Sequence, residues 1–165
     1  MKTMNGEWQS IGVIHTPFKE SAGTPIQPFK GVRTKGTVVI DPKYINALKD
    51  LDGFERIWLL YWFDRSVAPQ MFVKPYMDRV EHGLFATRAP SRFNNIGMSP
   101  VRLVSIRENV LEVEDMDILD GTPLLDIKPY IEAFDSYTGI RQGWVDGIDT
   151  NAAAGKADDR FAGDE

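Results

Sequence analysis

Residues 101–113 read VRLVSIRENVLEV. Apolar and polar residues alternate from Val101 to Ile106 and again from Val110 to Val113, with Arg107-Glu108-Asn109 between them. A period of two is that of a strand with one buried face, and a short polar turn between two such runs predicts a hairpin. Upstream lies the most apolar stretch, FERIWLLYWFD at 54–64. It has no charged stripe and comes after a glycine turn, so a strand buried on both faces is favoured over a buried helix. Downstream, Asp120-Gly121 is a turn signal, and Leu124 to Ile127 reads as a strand that Pro129 closes. Trp8 to Ile14 and Gly36 to Ile40 read as two further strands. Asp41 and Pro42 open a short helix that stops near Asp52-Gly53. Residues 19–34 form a long loop, and 65–81 a loop around a short strand. Many short strands, frequent turns and little helix predict a mainly β fold, an antiparallel barrel or sandwich.

The 165 residues suit a single domain, expected over 8–140, with a tail at 141–165. Small and acidic residues make 150–165 the segment expected to be mobile. No apolar run approaches the ~20 residues of a membrane span, and the first ten residues lack a secretory signal, so a cytoplasmic location is expected. With no cysteine there is no disulfide, no thiolate zinc site and no cysteine nucleophile. The net charge of −5 is uneven: residues 1–110 hold 15 Lys/Arg and 10 Asp/Glu, residues 111–165 hold 4 and 14. An acidic total argues against a general nucleic-acid coat but allows a local basic patch, since screening limits surface charge to ~8–10 Å.

No glycine-rich dinucleotide fingerprint and no P-loop is present. Two histidines, His15 and His82, cannot make a His-rich metal site, and each reads as structural before catalytic. In ATRAPSRFNNIGMSP, residues 86–100, Arg88 and Arg92 flank Pro90. A stiffened pair of guanidinium groups suits a carboxylate or phosphate; the alternative is an exposed turn with two solvated arginines. In DMDILDGTPLLDIKPY, residues 115–130, four aspartates surround a glycine turn. They are turn caps, or a site for a cationic ligand or ribose hydroxyls. Asp126 stands inside an apolar strand, where an unpartnered carboxylate would be costly.

The strings IGVIHTPF, DLDGFERIWLLYWF, GLFATRAPSR-x-x-x-IG-x-S and LDGTPLLDIKPY occur in this order. The chain thereby resembles the TsaA-like, or TrmO, family over about Ile11 to Asp135. The resemblance implies a small non-Rossmann antiparallel β-barrel with short helices that dimerises. It implies an S-adenosylmethionine-dependent tRNA methyltransferase acting on N6 of threonylcarbamoyladenosine next to the anticodon. It assigns the cofactor to Gln27, Pro28 and Phe29, to Phe63 and Asp64, to Arg88 and Met98, and to Asp117, Ile118, Leu119 and Asp120. Partners are then tRNA and a second copy, with no membrane and no metal. Asp126 or Tyr130 is the candidate general base. Lys74, Arg79, Arg92 and Lys128 are candidates for phosphate, and Arg92 alternatively for the threonyl carboxylate. The family's Arg-Pro-Asn-Pro is here Arg92-Phe93-Asn94-Asn95. Losing two prolines implies a more mobile loop or a different substrate pocket. A methyltransferase on another RNA or a small molecule, or a non-catalytic binding barrel, are the alternatives.

Overall fold

The computed structural model describes residues 8–150 and 156–158. Its strands are β1 (Gly12–His15), β2 (Gly36–Ile40), β3 (Arg56–Trp62), β4 (Phe72–Val73), β5 (His82–Gly83), β6 (Ile96–Arg107), β7 (Val110–Glu114) and β8 (Thr122–Pro129). One short helix, α1 (Glu132–Asp135), comes after β8. Six strands close into an antiparallel barrel in the order β1-β2-β7-β6-β3-β8, with β8 pairing back to β1. β4 and β5 pair separately. Closure leaves the barrel strands no unpaired edge along their shared lengths.

The hairpin is β6–β7, with Arg107 opposite Val110 and Glu108 at φ 55° in the turn. β6 begins at Ile96, earlier than its alternation predicts, because Pro100 hides it. β7 lies beside β6 only from Arg102 onward, so Pro100 sits where one side of the strand is free. β1 is shorter than predicted at its start: the Ser10 hydroxyl bends back to the Gly12 carbonyl at 2.7 Å. Asp41 does cap the segment after β2, its carboxylate accepting from the Lys43 N–H at 3.1 Å. The turns at Pro42–Leu48 and Leu51–Gly53 are 3₁₀ and separated, because Asp50 adopts φ 65° between them.

β3 corrects the expectation of burial on both faces. Ile57, Leu59 and Tyr61 point into the barrel, while Trp58, Leu60 and Trp62 form a half-exposed outer face. Inside, they meet Ile14, Val38, Val101, Leu111, Val113 and Leu124 in one core. A β-bulge opposite Leu60–Tyr61 sends both Leu124 and Ile127 inward, as partners of Tyr61 and Leu59. Asp126 is thereby turned outward beside Leu60, where it meets Lys128 Nζ at 2.9 Å.

Gly97 pairs with Tyr61, and a Cβ there would overlap the Tyr61 ring. Gly97→Ala is therefore expected to destabilise the barrel by about 1–3 kcal/mol, as overpacking does. Urea unfolding monitored by tryptophan fluorescence checks this; an unchanged midpoint would show that the ring shifts freely.

Candidate functional site

At one end of the barrel a cleft of about 810 Å³ opens between β3, β6, the 117–119 turn, the 24–29 loop and the 85–92 loop. That size matches small-molecule sites. Its floor carries a hydrogen-bonded chain. Ser99, almost fully buried, donates its hydroxyl to Asp117 Oδ1 at 2.7 Å, and the Tyr61 hydroxyl lies 3.1 Å from Ser99 Oγ. Ser99 has one proton to give, so with Asp117 ionised the Tyr61 hydroxyl donates to Ser99. Burial pushes Asp117 up to about 7, against the pull of the Ser99 bond and the Arg88 charge. Burial first, then the Asp117 charge, hold the Tyr61 phenol far above its ordinary value, so it stays a donor.

Arg88 reaches into the same cleft, and its Nη1 donates to Gln27 Oε1 at 2.8 Å. Phe29, Phe63, Asp64, Met98, Ile118 and Leu119 also line it. Of the residues assigned from sequence, Pro28 and Asp120 do not. Pro28 is buried as the first residue of a 3₁₀ turn that presents Phe29. Asp120 faces Lys19, the Thr16 N–H and His15, a set led by the Lys19 bond that holds its carboxyl down to about 2. It locks the strand ends together.

The two candidate bases lie elsewhere. Asp126 faces outward, and Tyr130 packs on Trp58 with ring centroids 5.6 Å apart, also on the outer face. Lys128 is held by Asp126 on that face. Lys74 and Arg79 lie in the 74–81 segment and do not line the cleft. Arg92 does line it, and its Nη1 donates to the carbonyls of Thr87 at 3.0 Å and Ala89 at 3.4 Å. His82 packs its ring on Trp144 and bonds Asp78 at 2.8 Å; neither histidine lines the cleft.

The 93–95 turn, for which the resemblance implies a more mobile loop or a different substrate pocket, is held by a side chain. Asn95 adopts φ 42°, which proline cannot, and its side chain accepts from the Arg92 N–H at 3.2 Å. The turn is closed by this asparagine bond, and Phe93 is left exposed.

Several wall residues carry no signal in the sequence. Tyr61 and Ser99 read as ordinary strand positions. Gln142, Trp144, Val145 and Ala157 line the cleft from beyond residue 140. Trp144 Nε1 donates to the Ala86 carbonyl at 2.7 Å, and Ala157 exchanges backbone hydrogen bonds with Gly23 and Thr24. Apart from 150 and 156–158, the segment expected to be mobile lies outside the described residues. Among the described residues no cluster of three or more His, Cys, Asp and Glu could hold a metal ion, and no helix is long and apolar enough to cross a membrane.

Residues 13–136 match the family model of the tRNA-methyltransferase O N-terminal domain. A Pyrococcus abyssi protein named "Probable S-adenosyl-L-methionine-binding protein" is 48% identical over 84% of this chain and 76% of its own length. A mouse tRNA (adenine(37)-N6)-methyltransferase is 31% identical over 78% of this chain and 31% of its own. The crystal structure of TrmO from Pseudomonas aeruginosa superposes with a TM-score of 0.75 at 35% identity, covering 88% of this chain and 65% of that one. The chain thus spans just under two thirds of that solved relative and about a third of the mouse enzyme.

Proposed function

The chain belongs to the tRNA-methyltransferase O N-terminal-domain family, and from that membership we propose that it methylates tRNA with S-adenosyl-L-methionine, at N6 of threonylcarbamoyladenosine beside the anticodon. The observation that carries the reading is one cleft holding both a guanidinium, Arg88, oriented by Gln27, and a carboxyl poised near neutrality, Asp117.

The residues present fit such a donor. Arg88, oriented by Gln27, takes its carboxylate. Phe29, Phe63 and Met98 offer the apolar surfaces an adenine ring requires. Asp64, Ile118 and Leu119 complete the wall. Bound there, the donor would supply a methyl group on a cationic sulfur, passed to the acceptor nitrogen's lone pair while the sulfur keeps the bonding electrons of the broken bond. The chain's own task is to hold that nitrogen in line and to remove its proton. We assign the proton to Asp117, since a carboxyl near neutrality inside the cleft suits a general base better than Asp126 or Tyr130 on the outer face. Those two would reach a cleft only if it belonged to a second copy. The outer band of Trp58, Leu60, Trp62 and Met98 is the surface we assign to such a homodimer.

Purified protein, labelled S-adenosyl-L-methionine and tRNA with or without the threonylcarbamoyl group test the proposal. Label is expected only in the modified tRNA. Equal transfer to unmodified tRNA would overturn the substrate. Donor binding with no transfer to either RNA would overturn the activity and leave a binding barrel.

A further inference from the structure

Phe85 is the most exposed large apolar side chain among the described residues, at 80%, and Phe93 is 52% exposed. Both rings stand on fixed supports. Phe85 sits in the Leu84–Ala86 turn. Leu84 is buried, its N–H bonds the Met71 carbonyl at 2.9 Å, and its carbonyl accepts the Thr87 hydroxyl at 2.9 Å. Trp144 ties down Ala86. Phe93 sits in the turn closed by Asn95. Phe85 lines the cleft, and the Phe93 ring lies beside it with centroids 6.3 Å apart and planes tilted by 58°.

Arg92 belongs to the same group. Its guanidinium lies 6.0 Å from the Phe85 ring centroid and is fixed by two backbone carbonyls. Its Nε and Nη2 have no partner among the described residues. Two rigid, solvated aromatic faces with a fixed cation beside them form a poor seat for an aliphatic protein surface. They form a good one for a flat, polarisable ring attached to a phosphate backbone.

We infer that Phe85, Phe93 and Arg92 form a stacking platform for an unpaired nucleobase next to the base that enters the cleft. The inference rests on the RNA reading above and adds to it a base subsite built on Phe85 and Phe93. The platform takes any base, because stacking uses the ring face and not the edge. Arg92 contributes charge toward the adjoining phosphate.

The test uses an anticodon stem-loop RNA carrying 2-aminopurine in turn on each side of the acceptor adenosine. Wild-type protein should quench one of the two probes. Phe85→Leu and Phe93→Leu keep an apolar side chain and lose the ring face. Each should abolish quenching and weaken RNA binding by about tenfold, with S-adenosyl-L-methionine binding unchanged. Phe85→Trp, which keeps a ring face, should retain both. If wild-type protein binds the RNA and neither leucine variant alters quenching or affinity, the platform is wrong while the RNA reading stands. If wild-type protein binds no RNA, both fall. If the leucine variants instead lose self-association or capture of a protein partner with RNA binding intact, the rings belong to a protein contact and the inference is overturned.

Discussion

Arg88→Ala is expected to weaken S-adenosyl-L-methionine binding by about tenfold to a hundredfold at neutral pH, the loss of one charge-assisted hydrogen bond of ~1.5–3 kcal/mol. The side chain is exposed and hydrogen-bonds Gln27, a contact at the cleft rim and outside the core, so the barrel should keep its thermal midpoint. Calorimetry with the donor and with its demethylated product separates the causes. Both carry the carboxylate, so both should weaken equally. Arg88→Lys should recover only part of the loss, since it keeps the charge and gives up the planar fork. Removing Arg88 also removes a cation that pulls the Asp117 proton off. The pH at which activity appears should then move upward. Unchanged affinity in a folded Arg88→Ala protein would remove this residue from the cofactor's seat.

Asp117→Asn should cost more. As general base, Asp117 accounts for about 10²–10⁴ in rate, so kcat should fall by that order with donor affinity much less affected. In the wild type kcat should climb with pH and level off above about 7; the variant should be flat. The same substitution has an opposite effect on stability. A carboxyl whose folded value is raised binds its proton more tightly in the folded state than in the unfolded one. Its stabilising share is fully present below its ordinary 3.8 and is lost as pH rises through about 7. Above that, wild-type protein carries a buried charge. A displacement of about three pH units corresponds to ~4 kcal/mol; the cleft's access to solvent reduces it to about 2 kcal/mol. At pH 8, Asp117→Asn should therefore be about 2 kcal/mol more stable than wild type, and at pH 4 nearly equal. Denaturant unfolding at both pH values beside single-turnover kinetics reads this. A variant that keeps its turnover, or that loses stability at pH 8, would dismiss Asp117 as the base.

The outer face of β3 shows why the apolar run at 54–64 was only half legible. Trp58, Leu60 and Trp62 are as apolar as the inward Ile57, Leu59 and Tyr61, so no period of two survives to mark the face. The hairpin at 101–113 was legible because its outward positions are polar. Asp126 misled for a different reason. Its place in the sequence implies an inward carboxylate, and a bulge opposite Leu60–Tyr61 turns it out. The cleft wall beyond residue 140 leaves little trace, because Ala157 is held by backbone hydrogen bonds to Gly23 and Thr24 that need no particular side chain.

Alternation, capping residues and glycine turns are local, and they alone determined that this chain builds short antiparallel strands. The ordered family strings within them pointed to Arg88 and Asp117. Which strands become neighbours, and which end of the barrel opens, depends on closure of six strands in one register. That closure brings Tyr61 of β3, Ser99 of β6 and Asp117 of the turn beyond β7 into one buried chain. Only there does desolvation turn an ordinary aspartate into a carboxyl that exchanges its proton near pH 7.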